Sequence, residues 1–387
     1  MKKHQLLNRR YALYLGLGTL AGIGTLTSVK LINIFDQNPV LAGQDKNFKV
    51  AGNRSLKERA AHKRLIYGAD CGTLNLQSAP ELQTAVVREC AMLVLGFLKW
   101  DMLRPTADSF NFTRGDWYVE FAEKNRMLLR GHTLVWHESL PWWFKETVNK
   151  QNAQQFLNEH IQQVAGRYAG KMHSWDVVNE AINVQDGLPN GLRKSPWLDL
   201  LGPDYIDNAF RLAAQVDPKA LLVYNDFGLD YDTPKDEAKR TAVLKLLERL
   251  KSQGTPIHAF GMQSHLSGDE TRFNPQKLRN FFRDIADLGL KILITELDVI
   301  DKKLPQDIAV RDRIVAGVYE DYLSAALDEK AVIAVITWGL SDHYTWISKF
   351  FPRSDGAPVR PLPLDDKMQR KLAWNAIART FDHAPKR

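Results

Sequence analysis

The sequence predicts an α/β fold of the (β/α)8 TIM-barrel type, a single domain behind an N-terminal export leader. From Leu65 onward, short apolar runs alternate with longer stretches at helical spacing, the mark of βα units around a parallel sheet. Eight such units can be counted, enough to close a barrel and leaving nothing for a second domain. The length of 387 residues also fits, because these barrels run to about 250 residues or more as one unit.

The strand candidates are 65–72, 91–97, 128–136 and 174–181, then 220–227, 259–266, 291–299 and 332–340. Helix candidates such as 152–168, 236–254 and 274–289 carry apolar residues at i, i+3 and i+4, the spacing of one buried helix face. Asn274-Pro275 supplies a cap and a first-turn proline, and Gly254 and Gly289 follow helix ends, as C-terminal caps do.

Residues 1–42 have the layout of an export signal: a basic start, Arg9-Arg10, then an apolar, Gly-rich run from Tyr11 to Leu26. The arginine pair resembles a twin-arginine signal, although Asn8 stands where Ser or Thr is usual; general secretion is weighted equally. The small residues near Ala42 could serve cleavage, but they lie far from the apolar run, so an uncleaved membrane anchor stays open. Residues 43–60 read as a linker or a short helix, with the domain over 61–387.

The chain carries +7, of which +4 lies in residues 1–42. The remaining +3 forms no basic stripe interleaved with aromatics, so nucleic acid is not an expected partner. The 44% hydrophobic and 25% charged content excludes disorder and a multi-span membrane fold. Cys71 and Cys90 show no CxxC spacing and read as small buried apolar residues, with one bridge permitted in an oxidising compartment.

In a (β/α)8 barrel the reacting groups sit at the C-terminal strand ends. Here those ends hold His132, Trp136 and His137; Asp176, Asn179 and Glu180; Asn225 and Asp226; Gln263 and His265; Glu296 and Asp298; and Trp338, Asp342 and His343. Glu180 and Glu296 are the carboxylate pair that glycoside hydrolysis requires, one to protonate the leaving oxygen and one to attack or to activate water. Asn179 is placed to meet a sugar 2-hydroxyl, His265 and Asp298 to hold Glu296 ionised, and Trp136, Trp338 and Trp346 to stack on sugar rings. A structural hydrogen-bond network at the strand ends is the competing reading. Three histidines at the mouth raise a metal site, but no HExxH or comparable ligand spacing is present; no metal and no cofactor are expected.

The motifs GHTLVWH (131–137), WDVVNEA (175–181), YND (224–226), GMQSHL (261–266), ITELDV (294–299) and TWGLSDHYTW (337–346) together resemble glycoside hydrolase family 10, the retaining endo-β-1,4-xylanases, from about Leu65 to about Phe381. The resemblance implies Glu180 as acid/base and Glu296 as nucleophile. It implies Lys99, His132, Asn179 and Gln263 as partners of the −1 sugar, and His265 with Asp298 as support for the nucleophile. Trp136, Trp338 and Trp346 would line the glycone side, and Asn225 would lie near the +1 sugar, followed by Phe227 where the family often has Tyr. One segment departs: Leu95, Gly96 and Phe97 stand where the family carries a Glu-Asn pair that helps bind the −1 and −2 sugars, although Lys99-Trp100 match. That departure keeps a second reading open, an exported xylan-binding or β-glycan-binding protein with little turnover, and a third, a retaining hydrolase of another β-linked glycan. The expected partner is xylan or xylo-oligosaccharide, met by a monomer, with membrane contact only through an uncleaved anchor.

Overall fold

The computed structural model describes residues 43, 45–71 and 76–387; the leader expected over 1–42 lies outside them. Nine strands follow in chain order: β1 Ile66–Asp70, β2 Met92–Leu95, β3 Leu128–Val135, β4 Met172–Asn179, β5 Leu221–Asp226, β6 Ala259–Met262, β7 His265–Ser267, β8 Lys291–Ile300 and β9 Val332–Thr337. β1 through β6 pair in sequence, β6 pairs with β8, β8 with β9, and β9 returns to β1, all in parallel. Eight strands thus close a ring with helices between them, the predicted barrel.

The extra strand comes from a break in the candidate at 259–266. Ser264 takes φ +61°, a left-handed turn that ends β6 and swings His265 into register with Asp298 of β8. The break is a functional placement, because it brings His265 beside Glu296.

The expected helices form with shifted ends. The helix Pro234–Ser252 starts two residues before the expected 236, since Thr233 accepts from the Asp236 N–H and Pro234 occupies the first turn. Asn274 caps Pro275–Asp287 by accepting from Gln276 and Lys277. Gly254 and Gly289 both adopt positive φ just past their helices, as C-cap glycines do.

Of the two readings of 43–60, a linker or a short helix, the short helix is the one that forms. Ser55 and Glu58 form a reciprocal capping box at the start of the helix Leu56–His62. Phe48 and Leu56 are buried in the main core, and Arg59 pairs with Asp382 of the C-terminal helix Leu372–His383. Folding of the barrel body therefore includes residues well before 61. Cys71 and Cys90 are free and buried, and burial pushes both thiols up.

Two cores divide the barrel. The larger lies between strands and helices; the smaller fills the barrel itself, with Met92 and Val94 of β2, Val223, Ala259, Leu293, and Ala334 and Ile336 of β9, against Ile66 of β1. Side-chain alternation along a strand carries this inner face upward into polar residues. Arg130 and His132 of β3 both engage Asp176 of β4, so a buried ionic layer separates the apolar plug from the mouth.

Candidate active site

Glu180 follows directly on β4, with φ +58°, and its N–H donates to the Asn225 carbonyl at 2.8 Å. A non-glycine residue in that region costs about 1–3 kcal/mol. The conformation turns the side chain into the mouth, where Oε1 accepts from Gln263 Nε2 at 2.9 Å and Asn179 Nδ2 at 3.1 Å. Both donors are neutral amides. Among the described residues both bonds fall on Oε1, which leaves Oε2 as the oxygen able to present a proton.

Glu296 sits on β8 with its backbone N–H donating to the Gln263 carbonyl at 2.9 Å. Its Oε1 accepts from Asn225 Nδ2 at 2.8 Å, and His265 Nε2 stands 3.2 Å from its Oε2. His132 Nδ1 lies 3.9 Å from Oε1. Burial pushes the Glu296 carboxyl up, but the bond from His265, the nearby His132 and the Asn225 amide outweigh it and hold the group at about 2. The other ring nitrogen of His265 meets Asp298 Oδ1 at 3.0 Å. Burial opposes charge on His265 too, yet Asp298 and Glu296 raise it to about 10. A ring between two carboxylates donates from both nitrogens, so His265 is an imidazolium near neutrality.

Asn179 links the two carboxylates. Its Oδ1 accepts from Asn225 Nδ2 at 2.9 Å and from Gln263 Nε2 at 3.3 Å. One amide chain therefore runs from Glu296 through Asn225 and Asn179 to Glu180. Trp346 donates from Nε1 to Asp298 Oδ2 at 2.8 Å, and its ring centroid lies 5.1 Å from that of His265, which extends the support of Glu296 by one more shell. Trp338 packs edge-on to His132 at 5.3 Å, and the Lys99 ammonium stands 4.7 Å over the Trp136 ring. The expected residues of the mouth are thus assembled around the two glutamates.

Several expectations need correction. Asn225 is fully buried, with both amide hydrogens committed and Oδ1 accepting from Thr295 at 2.7 Å; it orients Glu296 instead of meeting the +1 sugar. Lys239 lies 4.0 Å over the Phe227 ring, so that face is taken by a cation. Asp226 pairs with Lys239, and Asp342 with Lys371, which makes both structural. Beyond the expected residues, Trp143 is buried and donates to the Arg104 carbonyl at 3.0 Å, whereas its neighbour Trp142 is 76% exposed. At the end of β2, Leu95, Gly96 and Phe97 are all buried, and no polar side chain from that segment enters the mouth.

No group of three or more His, Cys, Asp or Glu able to hold a metal occurs among the described residues, and no described helix is long and apolar enough to cross a membrane.

A family model described as glycosyl hydrolase family 10 matches residues 55–380. The chain belongs to glycosyl hydrolase family 10. Within the family it is 37% identical over 298 residues to endo-1,4-beta-xylanase A of Caldicellulosiruptor sp. (strain Rt8B.4), a match covering 72% of this chain and 41% of that protein. It is 36% identical to the beta-1,4-xylanase of Dictyoglomus thermophilum, covering 72% of this chain and 79% of that one. Native xylanase 10B from Thermotoga maritima superposes with a TM-score of 0.77 at 32% identity, covering 85% of this chain and 98% of the other. Xylanase 10B of Thermotoga petrophila RKU-1, solved in complex with xylobiose, gives 0.77 at 31% identity, with 86% and 99% covered. The family 10 match begins at residue 55, the N-cap of the helix Leu56–His62.

Proposed function

We propose that this protein is an endo-1,4-β-xylanase that cleaves internal β-1,4-xylosidic bonds with retention of configuration. The observation that carries the reading is the unequal treatment of two carboxyl groups in one cleft: a cation and donors hold that of Glu296 ionised, while that of Glu180 accepts from the neutral amides of Asn179 and Gln263. Glu296 attacks the anomeric carbon as Glu180 protonates the departing oxygen, giving a glycosyl-enzyme ester. Glu180, now a carboxylate, takes a proton from water as that water attacks the same carbon, and Glu296 leaves with its charge restored. Two inversions yield net retention. The imidazolium of His265 and the Asn225 amide favour charge on Glu296 both before attack and as it leaves.

Family membership and the xylobiose-bound neighbour support xylan or xylo-oligosaccharide as substrate. The chain spans 41% and 27% of the first two relatives and 79% of the third, so the activity is proposed for this domain. We also infer export, from the residue pattern of 1–42, and action as a monomer.

The test is reducing-sugar release from β-1,4-xylan with the anomeric configuration of the first product followed by NMR. Release with retention is expected. Binding of xylo-oligosaccharides without release would replace this reading by the carbohydrate-binding one.

A further inference from the structure

The end of β2 brings no polar side chain to the mouth, but the neighbouring strand does. Ile66 of β1 faces the barrel interior, so two-residue alternation puts Gly68 and then Asp70 on the same inner face, with Asp70 last at the C-terminal end. Gly68 has to be glycine, since a Cβ there would lie 2.8 Å from the Met92 carbonyl. The same alternation carries the inner face of β2 from Met92 and Val94 to Gly96, and that of β9 from Ala334 and Ile336 to Trp338. These three positions converge. A Cβ on Gly96 would stand 2.9 Å from Asp70 Oδ1 and 3.2 Å from the Trp338 ring. The Asp70 carboxylate therefore occupies the space that a side chain at 96 would need.

Asp70 is also at the right depth. It is 7% exposed, like Glu180 at 7% and Glu296 at 5%, whereas Ala334 and Ile336 below it are at 0%. Trp338, on the other side of the same Gly96 space, packs against His132, which borders Glu296. Arg114 lies 4.5 Å over the Phe97 ring; burial lowers it, and the charges of Tyr118 and Asp70 oppose that fall, which puts a cation near this carboxylate.

We propose that Asp70 is a substrate-binding residue of the glycone side, whose carboxylate accepts hydrogen bonds from xylose hydroxyls in place of the polar groups that Leu95, Gly96 and Phe97 do not supply. The inference rests on the xylanase reading. A carboxylate oxygen has two lone pairs and can accept from a sugar hydroxyl besides a protein donor, and a xylopyranose offers several hydroxyls. Gly96 is the complement of Asp70, since only the absence of a Cβ leaves that carboxylate its place.

Calorimetric binding of xylotriose to the full chain carrying Glu296→Ala, with and without Asp70→Ala or Asp70→Asn, tests this without turnover. Asp70→Ala is expected to weaken binding about tenfold or more, and Asp70→Asn by less, because the amide keeps one acceptor. An affinity within twofold for Asp70→Ala overturns the proposal. If Asp70→Ala does not fold, Asp70→Asn decides: a loss of about threefold or more supports the proposal and an unchanged affinity overturns it. Failure of the Glu296→Ala chain itself to bind xylotriose would sink the xylanase reading and this inference with it. An intact chain that cleaves xylan, alongside Asp70→Ala with equal kcat/KM, would sink this inference alone.

Discussion

Glu180 and Glu296 are the same residue type, at the mouth of the same barrel, with nearly equal burial at 7% and 5%, yet their surroundings give them opposite tasks. Glu296 receives an amide hydrogen from Asn225, an imidazolium from His265 and the proximity of His132. The Glu180 carboxyl receives two amide hydrogens on one oxygen and has no cation within ion-pair distance among the described residues, Arg193 donating to the backbone carbonyl instead. The charge on Glu296 follows from its neighbours, not from its depth. Two carboxylates whose environments differ are what acid and nucleophile assignments need.

The largest predicted effect is removal of the nucleophile. Glu296→Ala is expected to lower kcat on xylan by on the order of 10⁴-fold or more, with xylo-oligosaccharide binding retained, as read by steady-state kinetics and calorimetry. Glu180→Ala should separate the two roles by leaving group. On xylan, where the departing alkoxide needs a proton, the loss is expected at roughly 10²–10⁴-fold; on an aryl xylobioside with a strongly acidic phenol, formation of the glycosyl-enzyme should lose far less, measured as a pre-steady-state burst. Equal losses on both substrates would contradict the assignment.

His265→Asn removes the cation that distinguishes the pair. With burial then unopposed by His265, the Glu296 carboxyl rises from about 2, and the acid limb of the kcat/KM profile should move to higher pH, visible between pH 3 and 6. Stability follows the same linkage. His265 is raised to about 10 from an ordinary 6.5, so its stabilising contribution is complete below 6.5 and lost as pH rises through 10. Glu296 is depressed to about 2 from 4.5, so its contribution is complete above 4.5 and lost as pH falls through 2. Both are fully present between pH 4.5 and 6.5, and thermal melts of the intact chain should peak there relative to His265→Asn.

A smaller effect is expected for Asn225→Ala, which leaves Asn179 Oδ1 and Glu296 Oε1 each short of one donor. A lost buried hydrogen bond costs about 1–3 kcal/mol, so kcat/KM should fall roughly tenfold to a hundredfold, with KM nearly unchanged because Asn225 is buried away from sugar. The smallest is Trp142→Ala: the side chain is 76% exposed, and its removal should change stability by less than about 0.5 kcal/mol in a denaturant titration.

The closed barrel was legible because eight apolar runs and the helices between them each carry their own period. The two glutamates were legible because strand ends are where barrels expose chemistry. Hydrogen-bond direction was not: the residue type of Asn225 is compatible with touching a sugar, and only the geometry of its amide, spent on Asn179 and Glu296, excludes it. The split between β6 and β7 depends on the left-handed turn at Ser264, which Ser does not advertise. Two signals were present and passed over. Ser55-x-x-Glu58 is a capping box, and Asp70 stands four residues after Ile66 with Gly96 opposite.

The central claim, that Glu296 is the nucleophile and Glu180 its acid/base partner, is tested most directly by trapping. Incubation of the intact chain with an activated 2-deoxy-2-fluoro-β-xylobioside slows release of the glycosyl-enzyme, and peptide mapping by mass spectrometry locates the sugar. The account predicts one xylobiosyl adduct, on Glu296. An adduct on Glu180, or xylan cleavage with inverted product and no adduct, would contradict it.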